Sequence, residues 1–429
     1  PSLNHCFYFV LVLLKFLPAA VVVRICSPPA PVSSAALHCA GQIGYGRGAS
    51  SLRRNMRFQS ELLQQLPVFG IVFLLAMQEF EIASLLQIPA WTVYLFDAQA
   101  GGLLPEATLN RLVLPVLVQM ATLLLIAWSV RVHSRQAAPR WRLGDVSSTR
   151  TCWPGIAVAV IAAVLLGVIP LCIVGLSGLT GIMGVLRNEV LVRSTLLDLA
   201  AAMAIAMPCA VLSLVIARKL RFIVSDDRTQ GGGVSQRWKM LTTILTIAPG
   251  LFGVLAVSTA VLLAVQHAPL TELRSTVWPM AFALTLFLIP RAFLLTLLMP
   301  AFRDSESGHL ALLLHSSSDA RQRQRAASLK WWCELRPLFV ISAVLFYWSL
   351  TNLTAAALLC PPTIPLLSFD GNIVPLPVRL YKFIHQGRTA TLSVMVLLSV
   401  VAPLLVIVLA SRFLPRFYMQ FFTARTSDS

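Results

Sequence analysis

Five ionisable side chains lie within or beside long apolar runs of this chain: Lys15, Glu79, Glu81, Asp198 and Arg291. A charged group in a membrane is energetically costly and usually serves a pathway or a partner. We therefore interpret Lys15, Glu79, Glu81 and Arg291 as candidates for a polar substrate path. Other interpretations stay open. The basic side chains have stems long enough to reach water, and the acidic ones, with Asp198, can lie at the membrane surface or form an entrance that attracts cations.

Residue spacing does not indicate catalytic or metal chemistry. Glu79 and Glu81 are two residues apart and point in different directions on a helix, so they do not predict a paired-carboxylate site. The histidines form no HxxxH pattern, the cysteines form no CxxC pair, and no GxxxxGK[ST] loop occurs. We expect a chain that is no enzyme, binds no metal or cofactor itself, and draws energy from a partner or an ion gradient.

The composition places these charged residues in a membrane protein. Hydrophobic residues make up 57% of the chain and charged residues only 12%, and the mean hydropathy is +0.79. These values exclude a water-soluble globule. The net charge of +17 does not indicate nucleic-acid binding, because the basic residues are concentrated in connections between apolar runs, where membrane insertion places them.

Apolar runs of membrane-spanning length recur along the chain. A helix needs about 20 apolar residues to cross a bilayer core. This length predicts an all-α polytopic bundle of about nine membrane helices, at 7–23, 66–86, 112–130, 155–175, 195–217, 241–265, 277–300, 338–360 and 390–411. Alternate connections are rich in Lys and Arg, which indicates the cytoplasmic side. We expect the N-terminus of this sequence outside and its C-terminus inside.

The sequence also contains an internal repeat. "FLPAAVVV" from Phe16 resembles "IPRAFLLT" from Ile289, and "LPVFGIVFLLAMQ" from Leu66 resembles "RPLFVISAVLFYW" from Arg336, with about three residues inserted after the match. Repeated bundles are common in transporters. We predict a partial first half at 1–135 with about three helices, a cytoplasmic linker at 136–153, and a complete second half at 154–429 with about six. The helices missing from the first half would lie upstream of Pro1.

Several motifs together resemble a known family. The tandem halves, the Arg-Ser-Thr-Leu helix start at 193–196, the Pro-Arg pair at 290–291 and "PLPVRLYKFIHQGR" at 375–388 are similar to the fused permeases of the iron(III)/thiamine class of ABC importers. The resemblance implies the type I ABC-importer fold in a bacterial inner membrane. It also implies two partners: a cytoplasmic ATPase dimer that hydrolyses ATP, and a periplasmic binding protein that delivers a small ligand, with iron(III) as first candidate.

In that family a cytoplasmic loop docks on the ATPase through a signature: Glu-Ala-Ala, a Gly four residues on, and a later Leu-Pro. Two loops of this chain match it in part, through Ala320 with Pro337 and through Ala49 with Leu66 and Pro67. Counting along both loops gives the candidates for ATPase coupling. They are Ser318, Asp319, Ala320, Arg321, Gln324, Arg325 and Pro337, with Gly48, Ala49, Arg54 and Pro67 in the earlier loop.

The basic run "RQRQRAASLKWW" at 321–332 has two interpretations of its own. Lys330 and the two tryptophans after it are typical of contacts with lipid headgroups. The arginines before them are either a solvated positive-inside loop or one face of a docking helix at 318–329, which Ser318 could cap.

Two other functions stay open for the whole chain. A gradient-driven carrier would also use repeated bundles and charges near the membrane midplane. A degenerate, non-transporting membrane protein would account for the weak match to the signature loops.

Overall fold

The computed structural model describes residues 2–26, 65–100, 105–136, 160–226, 234–267, 269–297, 320–360, 376–385 and 389–424, with a few single residues between them. Every regular element in these ranges is a helix, which confirms the predicted all-α class. Contacts divide the chain into two compact units, Pro1–Gly167 and Val168–Ser429. The predicted halves, 1–135 and 154–429, stay a prediction, and nearly all of the linker 136–153 lies outside the described residues.

In the first unit the described helices are α1 (Ser2–Cys26), α2 (Gln65–Met77), α3 (Glu81–Leu85), α4 (Trp91–Ala100) and α5 (Pro105–Gln136). Helices α2 and α5 approach closely at Gly70. A Cβ atom added there would lie 2.5 Å from Cγ1 of Ile126, so the absence of a side chain permits this packing.

The second unit contains α6 (Ile169–Leu186), α7 (Glu189–Asp226), α8 (Val234–Leu251), α9 (Val254–Ala264), a 3-10 turn (Leu270–Ser275) and α10 (Trp278–Leu297). After a gap follow α11 (Ala320–Lys330), a π-helical turn (Trp331–Leu335), α12 (Arg336–Leu350), α13 (Leu353–Leu359), α14 (Leu376–His385) and α15 (Thr389–Ala424).

The core of the second unit lies where α7 packs against α10 and α12. Small buried residues on both facing helices allow the close approach, among them Ala206, Ala210 and Ala283. Hydrogen bonds cross the same interface: Ser213 Oγ donates to the Thr285 carbonyl oxygen over 3.1 Å. Small residues with polar links are typical of helix packing in membranes, where no hydrophobic effect drives helices together.

Helices α8 and α9 form a bent pair with an angle of 99°. Pro249 cannot donate a backbone hydrogen bond, and Gly253 has φ of 91°, a value that favours glycine. Gly250 lies so close to α10 that a Cβ atom there would be 2.6 Å from Cδ of Pro290. The bend therefore follows directly from "APGLFG" at 248–253.

Among the described residues, four helices are long and apolar enough to cross a membrane: Ile169–Leu186, Glu189–Ile223, Trp278–Thr296 and Thr391–Pro415. Two bent pairs, α8 with α9 and α12 with α13, raise the count to six if each is one span. Five of the six predicted spans between 155 and 411 agree with these helices over most of their length, whereas the predicted span 155–175 shares only residues 169–175 with Ile169–Leu186. The three predicted in the first unit correspond to shorter apolar helices, Leu3–Leu17, Gln65–Met77 and Asn110–Ile126, so the structure does not reach the predicted count of nine.

Candidate functional site

Lys15 joins two carboxylates in the first unit. Its Nζ atom lies 2.8 Å from Oε2 and 3.0 Å from Oε1 of Glu79, and 3.1 Å from Oε2 of Glu81. The Glu79 side chain is only 4% exposed, whereas those of Lys15 and Glu81 are 36% and 48% exposed. Three of the four predicted path residues therefore form one group, called here the Lys15 cluster, with one more negative than positive charge.

Both carboxylates reach Lys15 because the helix is interrupted at residues 78–80, immediately before Glu81. Helix α2 ends at Met77 and α3 begins at Glu81, so Glu79 belongs to neither. The expectation that Glu79 and Glu81 diverge assumed one continuous helix over 66–86, and it is wrong for this reason. The break, rather than helical spacing, brings the two side chains together.

Hydrogen bonds stabilise this break on both sides. Glu79 Oε1 accepts from the backbone N–H of Ile82 over 3.0 Å and so acts as a cap for α3. The freed carbonyl oxygens are also used: Trp91 Nε1 donates to that of Met77 over 2.8 Å, and Thr92 Oγ1 to that of Glu79 over 3.0 Å. Since buried backbone groups need partners, these contacts make the break a defined feature of the fold.

The second unit contains a break of the same kind. Helix α12 ends at Leu350, α13 begins at Leu353, and the two are bent by 52°. Asn352 Oδ1 accepts from the backbone N–H of Ala355 over 3.0 Å. In the predicted repeat, Glu79 aligns with Asn352 if residues 349–351 are the insertion. At both breaks a side-chain oxygen accepts from the backbone N–H three residues on; Asn352 lies at the N-cap of α13, and Glu79 lies one residue before the N-cap of α3.

A buried ion pair joins α14 to α7 in the second unit. Arg379 Nε lies 2.5 Å from Asp198 Oδ2, and Arg379 Nη1 donates to Ser194 Oγ over 2.6 Å. The Asp198 side chain is 1% exposed and that of Arg379 is 18% exposed. Charges taken out of water need a partner of opposite charge, and the Arg379 guanidinium is the one that Asp198 has.

Sequence reasoning missed the Asp198–Arg379 pair. It placed Asp198 at the membrane surface and assigned no role to Arg379. The available signal was the position of Arg379 among the apolar residues of "PLPVRLYKF". This segment forms α14, which packs against α7 and α15. No spacing rule links residues 198 and 379, so only the fold could identify them as partners.

A small cavity lies beside the break between α12 and α13. Its volume is about 20 Å³, and its lining includes Ala202, Ala206, Ser349, Asn352 and Pro377. The Ser349 hydroxyl is buried and has no hydrogen-bond partner among the described residues. Most of the lining is apolar, and Ser349 and Asn352 are its polar residues, so the cavity has room for at most one water molecule.

Arg291, the fourth predicted path residue, lies in the second unit on α10. Its Nη1 donates to the Phe287 carbonyl oxygen over 2.9 Å. The guanidinium carbon lies 3.6 Å from the centre of the Phe287 ring and 5.9 Å from that of Trp348. Aromatic faces and a backbone oxygen thus hold this cation inside the bundle, where cation–π attraction is strongest.

The basic run forms a helix, but this helix is not a separate segment like the predicted docking helix at 318–329. It continues into the next helix. Helix α11 spans Ala320–Lys330, the π-turn spans Trp331–Leu335, and α12 begins at Arg336 without a gap. Pro337 cannot donate to the carbonyl of Cys333, and the wider π-turn just ahead of the proline accommodates it. Arg325 is exposed and Ala326 is buried.

The other coupling candidates are placed as follows. Ala320, Arg321 and Gln324 lie in α11, and Pro67 is buried in the first turn of α2. The remaining ones lie outside the described residues: Ser318, Asp319, Gly48, Ala49 and Arg54.

Comparison with known proteins assigns no family: no family model, no curated protein and no solved structure matches the chain. Within the described ranges no three His, Cys, Asp or Glu side chains are grouped as metal ligands. The features of the described residues that bear on function are the apolar helices, the two capped breaks and the ion pairs.

Proposed function

We propose that the chain is the permease subunit of an ATP-driven importer in a bacterial inner membrane, with its C-terminus in the cytoplasm. A binding protein on the outer side would deliver a small ligand, iron(III) being the first candidate. An ATPase dimer on the cytoplasmic side would bind ATP, so the permease itself needs no nucleotide site.

The observation that carries this proposal is a helix break with a side-chain cap, found among the described residues of both units. A break in an apolar helix frees backbone groups and gives two segments that can move separately. In the first unit the break carries the partly buried Lys15 cluster. In the second it adjoins a small cavity with Ser349 and Asn352 in its lining, and the same unit contains the buried Asp198–Arg379 pair. Broken helices with charges nearby are typical of transport proteins.

The continuous helix from Ala320 to Leu350 supports a coupled mechanism. At one end lies the exposed Arg325 of the predicted coupling loop, and at the other lies the break before α13. Helix α13 is largely buried and packs against α9, α10 and α14. A push on α11 would therefore reach the core of the second unit without crossing a flexible connection.

Charge reversal in α11 tests this function. We expect Arg321→Glu with Arg325→Glu to abolish association with the ATPase and ligand-stimulated ATP hydrolysis. Insertion and abundance should stay near normal, because Lys330 and Arg336 still provide the positive-inside signal. Co-purification and ATP hydrolysis in proteoliposomes are the measurements.

Arg187→Glu, at the exposed connection between α6 and α7, is the matched control and should behave like the parent. Full association and uptake by the double variant would remove α11 from the coupling mechanism. Uptake that persists without ATP and stops when the proton gradient collapses would instead indicate a gradient-driven carrier.

A further inference from the structure

We propose that Lys330, Trp332 and Arg336 form a binding site for the headgroup of an anionic phospholipid, called here the Trp332 patch. The site uses neither the path residues nor the Arg321–Arg325 face of α11. It requires only that this helix enters the membrane near residue 336, as its apolar continuation indicates.

The helix presents two different sides at this point. Ala326 and Trp331 are buried at 2% and 7% exposure, and α11 packs against α15. Lys330 and Arg336 are exposed, and Trp332 is 56% exposed. One tryptophan therefore faces the protein, and its neighbour faces outward together with two cations.

The geometry of Arg336 suits a phosphate group. Its guanidinium carbon lies 4.2 Å from the centre of the Trp332 ring, so the indole fixes the position of the guanidinium. Neither Arg336 nor Lys330 forms an ion pair with a carboxylate in the described part of the chain. A stacked arginine keeps its N–H donors for a bidentate contact, and phosphate oxygens match that geometry.

The surface below the patch indicates a lipid rather than a protein partner. Val340, Val344 and Trp348 follow Arg336 at intervals of four residues along α12, and all are exposed, at 52%, 36% and 41%. Residues spaced this way lie on one side of a helix. The cations Lys330 and Arg336 are followed along the helix by these three exposed apolar side chains, called here the apolar track. This arrangement fits a phospholipid, whose headgroup is anionic and whose chains are apolar.

A lipid bound here would contact the helix between the predicted coupling segment and the break before α13. The patch would therefore make the function of the second unit depend on the anionic lipid content of the membrane. This consequence follows from the position of Arg336 at the start of α12 and does not depend on which ligand is carried.

The test is lipid binding to the purified full chain in detergent, with phosphatidylglycerol and phosphatidylcholine as probes and native mass spectrometry as readout. One basic residue near an anionic lipid contributes about 1 kcal/mol, which corresponds to roughly a fivefold change in affinity. We expect Lys330→Gln with Arg336→Gln to weaken phosphatidylglycerol binding by roughly 30-fold and to leave phosphatidylcholine binding unchanged. Trp332→Phe should retain most of the affinity, whereas Trp332→Leu should reduce it.

Arg187→Gln, an exposed arginine elsewhere in the second unit, is the matched control and should retain the parental affinity. Free glycerophosphoglycerol, the headgroup without chains, should not compete, because it cannot use the apolar track. The proposal is overturned if the Lys330 and Arg336 variant binds phosphatidylglycerol like the parent, or if it loses both lipids equally. Effective competition by the free headgroup would also refute it, since the site would then be a plain anion site.

Discussion

Removing the positive partner of Asp198 should destabilise the second unit strongly. In Arg379→Gln the Asp198 carboxylate, 1% exposed in the parent, would lose its contact at 2.5 Å and could not reach water. Breaking a buried pair from one side costs about 3–5 kcal/mol. Asp198→Asn should cost less, about 1–2 kcal/mol, because Arg379 is 18% exposed and still bonds to Ser194.

The double variant, Asp198→Asn with Arg379→Gln, completes the measurement. Two amides of similar shape can bond to each other, so we expect a total cost near that of Asp198→Asn alone. The coupling energy, which is the sum of the two single costs minus the cost of the double variant, is then about 3–5 kcal/mol. The assay is thermal unfolding of each purified variant in the same detergent, where about 2–4 °C of midpoint corresponds to 1 kcal/mol in mid-sized proteins. An Arg379→Gln midpoint within 1 °C of the parent, or strictly additive single effects, would refute the assignment of a buried, coupled pair.

Three further outcomes follow from the described contacts. Lys15→Gln should lower the free energy of unfolding by about 1–2 kcal/mol, which is less than the loss of a fully buried pair because Lys15 is 36% exposed. An unchanged midpoint in the same thermal assay would show that the cluster is only a surface contact. Gly250→Ala should lower the free energy of unfolding by about 1–3 kcal/mol, because the added Cβ meets α10. Gly184→Ala is the control: open space surrounds this glycine, so the change should be neutral or slightly stabilising. Equal effects of the two variants would contradict the close packing at Gly250. An impermeant thiol reagent should label Arg187→Cys in intact cells but Gln322→Cys only after permeabilisation, on a background without native cysteines, and the reverse pattern would invert the predicted orientation.

Composition and periodicity were sufficient to predict the helical class and most of the apolar helices of the second unit. Apolar length is a direct physical requirement of the bilayer, so α7, α10 and α15 could be identified from it. The breaks were not predicted, because the apolar residues on both sides keep the average hydropathy of a 20-residue window high across the few polar residues at each break. At 78–80 and 351–352 the interruption depends on side-chain caps. A hydropathy average over 20 residues does not detect a hydrogen bond of one side chain.

The candidate site was predicted in part. Lys15, Glu79 and Glu81 were identified as charges in apolar surroundings, which is a property of sequence alone, but their grouping depended on the break that sequence reasoning did not predict. Arg379 illustrates the other difficulty. Its partner lies 181 positions earlier, and such long-range pairing is set by how helices pack rather than by any local pattern.

The uninterrupted helix from Ala320 to Leu350 has a mechanical consequence. Its 31 residues correspond to a rod of about 46 Å at 1.5 Å per residue. A tilt of only about 5° at one end would displace the other by roughly 4 Å, most of the pitch of a helical turn. The π-turn at Trp331–Leu335 is the place where this rod changes its hydrogen-bond pattern, from bonds between residues four apart to bonds between residues five apart. If those five residues are stiff, a small displacement of α11 at the membrane surface moves the far end of α12. If they bend, the same displacement does not reach that end.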